Sequence, residues 1–153
     1  MRYFTAAWHR GELADAEVDA VREVYRRRLE ALAPRLPPPV RKLATALNLH
    51  DATVRQLALD PGSRTLRLGL RCGDSQTGHF DLDLRYGGVH LGRADVPRLR
   101  AMAQEAEAVL YDEVDVAPSG YVHRLLLWPY RELDIVFARL ALHRRAAGGR
   151  PGP

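Results

Sequence analysis

The chain is poor in the features that mark secreted and membrane proteins. It has one cysteine, Cys72, so no disulfide can form within it, as is usual in a reducing cytoplasm. Apolar runs such as residues 125–128 are far shorter than the roughly 20 residues that a membrane-spanning helix needs. Residues 1–5 include Arg2 and contain no apolar segment of the kind found in signal peptides. We therefore expect a cytoplasmic protein with no membrane segment.

The sequence also lacks the short motifs of common catalytic and nucleotide-binding sites. It has no G-x-x-x-x-G-K-[ST] loop, no G-x-G-x-x-G turn, no G-x-S-x-G elbow, no H-E-x-x-H helix and no paired cysteines. These absences favour a protein that is not an enzyme and needs no cofactor or metal. Sites that assemble only in the folded chain leave no short motif of this kind in the sequence.

Basic residues outnumber acidic ones, at 23 against 19, and the sequence pI is about 9.6. Such an excess indicates nucleic-acid binding when it forms a stripe on the fold itself. The last ten residues carry three arginines and no acid, and without them 20 basic residues stand against 19 acidic ones. We therefore expect one near-neutral domain over residues 1–143 and a disordered basic tail over residues 144–153.

Two helices are predicted in the first third of the chain. Over residues 15–33 apolar side chains recur every three or four positions, which is the pattern of an amphipathic helix. Prolines end this helix and begin a shorter one, whose apolar stripe runs from Val40 to Leu47. The aromatic residues ahead of the helices are expected to dock on the core, because exposing them to water would be costly.

Beyond residue 51 the hydrophobic period changes to two. Residues 65–72 and 79–86 alternate between apolar and charged, which is typical of an antiparallel sheet covered on one side. Placing Leu68 opposite Leu82 would pair Arg67 with Asp83 across the two strands. Further strands are predicted at residues 53–59, 89–91, 109–116, 121–128 and 133–140, and a helix at residues 95–106. The predicted class is α+β: two N-terminal helices, then a mainly antiparallel sheet interrupted by one helix.

Three groups of residues could carry chemistry. Asp112, Glu113 and Asp115 form the densest acidic cluster, and with His123 or His50 they would suit a metal-assisted hydrolase. His79, Asp81 and Asp83 share one strand face, where an arginine-bearing neighbour would neutralise them. Cys72 alternates with leucines, which predicts a buried structural thiol.

His50 and Asp51 stand together at the junction between helices and sheet, where a histidine beside an aspartate can act as a base or a metal ligand. Adjacent residues of an extended chain point to opposite faces, so the two side chains are not expected to act on one atom. We favour a turn that Asp51 caps, with His50 bonded to a backbone group.

Several short motifs carry a family resemblance. They are Met1-Arg2-Tyr3-Phe4-Thr5 with Trp8, Leu49-His50-Asp51, and residues 110–114, 120–124 and 132–137. Through them the chain resembles a small bacterial family of unknown function that opens with Met-Lys/Arg-Tyr-Phe-Thr and a nearby Trp. The Leu-His-Asp step before an alternating sheet is also similar to some immunity-type proteins of bacterial toxin systems. The resemblance implies a bacterial protein and assigns no catalytic residue.

The sequence as a whole favours a binding module whose partner is another protein, with immunity-like neutralisation as one version. A site is expected where the opening aromatics meet the sheet, although these residues could simply close the core. Its predicted members are Tyr3, Trp8, His50, Asp51 and Tyr111. The alternatives are the metal-assisted hydrolase and nucleic-acid binding by an arginine-rich helix face. That face comprises Arg22, Arg26, Arg27 and Arg28.

Overall fold

The structure is a computed structural model that describes residues 1–76, 78–90, 97, 99 and 108–146. Helices come first and strands follow. The helices are α1 (Ala6–His9), α2 (Asp15–Leu32) and α3 (Pro38–Ala46), with a 3-10 turn (Ala33–Arg35) between the last two. The strands are β1 (Thr53–Asp60), β2 (Thr65–Cys72), β3 (Phe80–Gly87), β4 (Val109–Ala117), β5 (Gly120–Leu127), β6 (Arg131–Phe137) and β7 (Arg139–Ala146).

The two predicted helices are present at nearly the predicted positions. At the start of α2 the Glu17 carboxylate accepts the Ala14 N–H at 2.9 Å, which satisfies a backbone donor that the helix leaves free. Pro34 lies in the turn that follows α2, and α3 begins at a proline, whose missing N–H costs nothing there. Each helix buries one stripe, including Tyr25 of α2 and Leu43 of α3.

The strands form two antiparallel sheets, in the orders β1-β2-β3-β7 and β4-β5-β6, so the predicted α+β class is confirmed. The single strand predicted at residues 133–140 is wrong, because the chain leaves one sheet and enters the other at Ala138. There the Ala138 N–H donates to the Gly87 carbonyl at 3.0 Å. Within a few residues the chain thus changes its pairing partner from β5 to β3.

Strand β7 changes the expected end of the domain. Arg144 and Arg145 pair with Leu82 and Asp81 of β3, so the disordered tail predicted from residue 144 is wrong for residues 144–146. This segment is part of an edge strand whose backbone groups on one side pair with β3, and this pairing orders it without a regular apolar pattern of its own. Residues 147–153 lie outside the described residues.

The register of β2 and β3 differs from the predicted one by two residues. Leu68 pairs with Leu84, and Arg67 faces Arg85 rather than Asp83. Both registers bury the same leucines, because side chains alternate with a period of two. The loop between the strands therefore decides between them, and the hydrophobic pattern cannot.

One apolar core joins both sheets with α2 and α3. The Tyr86 ring of β3 lies 5.1 Å from the Phe137 ring of β6, across the space between the sheets. The helix predicted at residues 95–106 falls outside the described residues except for Pro97 and Leu99, which are both helical. Among the described residues no helix is both long and apolar enough to cross a membrane.

Candidate functional site

The opening aromatics pack against the three-stranded sheet around Tyr111 of β4. Its ring lies 4.7 Å from that of Trp8, 5.5 Å from that of Phe4 and 5.1 Å from that of His50. The Thr5 hydroxyl accepts the Trp8 N–H at 3.2 Å and so starts the short helix that presents Trp8. Trp8 is 6% exposed, as expected of an aromatic side chain docked on the core.

The structure brings together three of the five predicted site residues, Trp8, His50 and Tyr111. The Tyr3 ring lies 5.0 Å from that of Tyr25, on the α2 side of the cluster. The Asp51 carboxylate is at the surface, 78% exposed, and lies 2.8 Å from His50 Nδ1.

The His50-Asp51 junction differs from the expected one. Asp51 has φ +63°, in the left-handed region, so its side chain meets that of His50 instead of pointing to the opposite face. The side chain that caps the turn is Asn48, whose Oδ1 accepts the His50 N–H at 3.0 Å. The Asp51 N–H donates to the Val109 carbonyl at 2.8 Å and ties the junction to the start of β4.

A cavity of about 370 Å³ opens beside this cluster, between α2, α3 and β4. Three aromatic side chains, Phe4, Tyr25 and Tyr111, line it together with apolar residues of α3 and the polar side chains of His50 and Asp112. The Tyr25 hydroxyl accepts the Val114 N–H at 2.8 Å, which holds that ring against β4. Burial raises the pKa of Tyr25, so the hydroxyl keeps its proton. The volume is within the range of small-molecule sites.

Glu113, from the predicted acidic cluster, holds the first residues of the chain. Its side chain is fully buried, and its carboxylate accepts the backbone N–H groups of Arg2, Tyr3 and Phe4 at 2.6–3.1 Å. Arg124 Nη1 lies 3.7 Å away and compensates the charge. A buried carboxylate with this many donors is a structural anchor.

Asp115 is also committed to structural contacts. Its Oδ1 accepts Arg28 Nη2 at 2.8 Å, and Arg2 Nη1 lies 3.6 Å from its Oδ2. The Val116 N–H donates to Oδ1 at 2.8 Å. Asp115 therefore joins α2 and the first residues to β4.

Asp112 belongs to a different network. Its Oδ2 lies 3.2 Å from His123 Nε2, and the Tyr86 hydroxyl lies 2.7 Å from His123 Nδ1. Burial, with Asp112 nearby, raises the pKa of Tyr86 far above its ordinary value, so the hydroxyl stays protonated and can donate to Nδ1. The imidazole of His123 thus bridges the Tyr86 hydroxyl and the Asp112 carboxylate.

The three carboxylates of the proposed hydrolase site thus point to three different sets of partners. In the part of the chain that the structure describes, no group of three or more histidine, cysteine or acidic side chains is placed to hold a metal ion. The geometry therefore offers this alternative no assembled site. Cys72 is fully buried, and burial raises the pKa of its thiol to about 11, which suppresses the reactive thiolate at neutral pH.

The arginines of α2 all have acidic partners. Arg26 and Arg27 lie 2.7 Å and 2.6 Å from Glu23, and Arg28 lies 2.8 Å from Asp115. Arg22 is 3.6 Å from Asp19. The basic face that nucleic-acid binding would need on this helix is therefore largely neutralised. On β2, Arg71 Nε lies 2.6 Å from Asp81, so the expected arginine neighbour of Asp81 is present.

A partly exposed aromatic row extends from the cluster, and sequence reasoning missed it. The row comprises Trp128, Tyr130, His9, Tyr111 and His50, with successive ring centroids 5.1–5.7 Å apart. Trp128 is 52% exposed. The sequence Trp128-Pro129-Tyr130, where the strand predicted at residues 121–128 ends, was the available signal. Nothing in the sequence, however, indicates that this loop meets His9.

No family model, curated protein or solved structure matches this chain. The resemblance to a bacterial family and to immunity-type proteins therefore stays a prediction.

Proposed function

We propose that this protein is a non-enzymatic module that binds another protein through the aromatic row. The observation that carries the proposal is the exposure of Trp128, at 52%, at one end of the row. Among the described residues it is the one aromatic side chain in the set of exposed large hydrophobics, with Val24 and Val116. Tryptophan and tyrosine in such positions often dominate the binding energy of protein interfaces.

The chemistry of the row suits a protein surface. Its rings carry polar atoms on the imidazole, phenol and indole groups, and the Arg10 guanidinium lies 5.2 Å from the centre of the Tyr130 ring. Aromatic residues and arginine are enriched at protein interfaces because they combine large apolar contact areas with hydrogen-bonding groups. The expected partner presents apolar side chains and hydrogen-bond acceptors. Immunity-like neutralisation would be a specific version, in which the module covers the working surface of its partner.

The engagement of the acidic cluster also supports a binding role over hydrolysis. Glu113 and Asp115 hold the first residues and α2, and His123 is fully buried between Tyr86 and Asp112. A catalytic base must contact its substrate, whereas the side chains of this cluster form hydrogen bonds and ion pairs with other parts of the protein.

The proposal is tested by affinity capture from a lysate of the source organism, using the full chain and two variants. Trp128→Ala removes the exposed indole, and Val24→Ala removes an equally exposed apolar side chain from α2 as the matched control. We expect the wild type and Val24→Ala to retain one protein in stoichiometric amount, and Trp128→Ala to bind it at least about tenfold more weakly. Absence of a stoichiometric protein, or equal retention by Trp128→Ala, would refute the proposal.

A further inference from the structure

The cavity between α2, α3 and β4 has walls suited to a positive charge. The Phe4 ring lies 5.1 Å from the Tyr25 ring and 5.5 Å from the Tyr111 ring, and all three line the space of about 370 Å³. The face of an aromatic ring carries a partial negative charge and attracts cations within about 6 Å of its centre. Leu43 of α3 and Leu47, which directly follows α3, line the same cavity, and they would contact the carbon atoms of a ligand.

Asp112 adds a carboxylate to the lining of the same cavity. Its side chain is 19% exposed and lines the cavity, and His123 Nε2 is 3.2 Å from its carboxylate. The Tyr86 hydroxyl lies 2.7 Å from the other ring nitrogen of His123, Nδ1. Across the described ranges Asp112 has no arginine or lysine partner, whereas its neighbours Glu113 and Asp115 both have arginines within 4 Å.

His50 has a different acidic partner. Its ring lines the cavity, but its Nδ1 lies 2.8 Å from the Asp51 carboxylate rather than next to Asp112.

We propose that this cavity binds an organic cation, an alkylammonium or guanidinium group, with its charge next to Asp112 and the aromatic rings. Its carbon chain would lie along α3, where Leu43 and Leu47 line the cavity. Two sources have this chemistry: a free amine, or a lysine or arginine side chain of a protein seated on the neighbouring aromatic row. The inference does not depend on the proposed function, because the cavity is complete without a partner protein.

The experiment is a nuclear magnetic resonance titration of the full, ¹⁵N-labelled chain with n-butylammonium at constant ionic strength. We expect saturable shifts of the backbone signals of Tyr111, Asp112 and Leu47, and no such shifts with butyrate or 1-butanol. Asp112→Asn keeps an oxygen for the His123 N–H and removes the charge, so the protein should stay folded and bind at least about tenfold more weakly. Asp83→Asn, on the four-stranded sheet, makes the same change in net charge and should bind like the wild type.

A second arm distinguishes the two sources with an N-acetyl, C-methylamide lysine, which carries the ammonium on a peptide unit. Tighter binding of this compound than of n-butylammonium would assign the cavity to a side chain of a partner, and the reverse order would assign it to a free amine. If Trp128→Ala leaves the binding of one of these compounds unchanged while Asp112→Asn weakens it, that result would support cation binding in the cavity independently of the aromatic row. No saturable shift with either compound, or equal binding by Asp112→Asn, would overturn the inference.

Discussion

Glu113 is a carboxylate with no exposed surface that holds three consecutive backbone N–H groups, those of Arg2, Tyr3 and Phe4. These contacts fix the segment whose aromatic side chains make the cavity wall and the cluster around Tyr111. The anchor is charge-assisted, and such hydrogen bonds are about twice as strong as those between neutral groups. One residue of β4 thus holds the backbone of the segment that carries Phe4, one wall of the cavity.

Glu113→Gln should therefore destabilise the protein by about 2–3 kcal/mol, because an amide places a donor where the carboxylate accepts only. Amide hydrogen exchange at Tyr3 and Phe4 should become faster, and urea unfolding should measure the loss of stability. Glu12→Gln, a change at a side chain that is 51% exposed, should alter stability by less than about 0.5 kcal/mol. Unchanged exchange at Tyr3 in Glu113→Gln would show that the segment is held by its aromatic contacts alone.

At the scale of elements, α2 combines a buried stripe with a dense set of surface ion pairs. Glu23 accepts hydrogen bonds from Arg26 and Arg27, and these, with Arg26 first, lower the pKa of Glu23 from 4.5 to about 2. Because the pair is exposed, its contribution to stability is small and is screened by salt. The helix is held mainly by its packing against the core and by the contact of Arg28 with Asp115.

The depressed pKa of Glu23 predicts a pH dependence of stability. A group whose pKa is lower in the folded state stabilises that state above its ordinary pKa, so this contribution is present above about pH 4.5 and is lost as the pH falls toward 2. In urea unfolding, the difference in stability between the wild type and Glu23→Gln should be smaller at pH 3 than at pH 6. Salt at about 1 M should also reduce the difference at pH 6. A difference independent of pH and salt would mean that Glu23 does not act through its charge.

At the scale of the whole molecule, the two sheets share one apolar core with α2 and α3. The β6–β7 corner passes directly from one sheet to the other, and Tyr86, Phe137 and His123 meet between the sheets. Neither sheet could unfold without exposing residues that the other buries. The chain is therefore expected to behave as one cooperative unit.

Urea unfolding should accordingly show one transition. Tryptophan fluorescence reports on Trp8 in the aromatic cluster and Trp128 in the hairpin, whereas far-ultraviolet circular dichroism reports on all helices and strands. We expect the same midpoint from both signals, within experimental error. Two separate midpoints, with the tryptophan signal changing first, would show that the first residues and α2 detach before the sheets unfold.

Much of the fold can be predicted from residues that are close together in the sequence. The alternation in residues 65–72 and 80–86 predicts which side chains are buried, since successive side chains of a strand point to opposite faces. Apolar residues at a spacing of three or four predicted α2 and α3. The cluster of Tyr3, Phe4 and Trp8 predicted that these aromatic side chains dock on the core. Of the candidate site, the meeting of Trp8, His50 and Tyr111 could be predicted, because aromatic residues at a junction between layers need a common surface to cover.

The sequence by itself determined the α+β class, the helices α2 and α3 and the buried faces of the strands, because these depend on residues close together in the chain. Only the tertiary structure decided the pairing of Arg67 with Arg85, the ordering of Arg144 and Arg145 in β7, and the separate partners of Asp112, Glu113 and Asp115. Those contacts join residues far apart in sequence, some of them more than a hundred positions apart. Their geometry depends on loop lengths and sheet topology, which leave no periodic signal in the sequence.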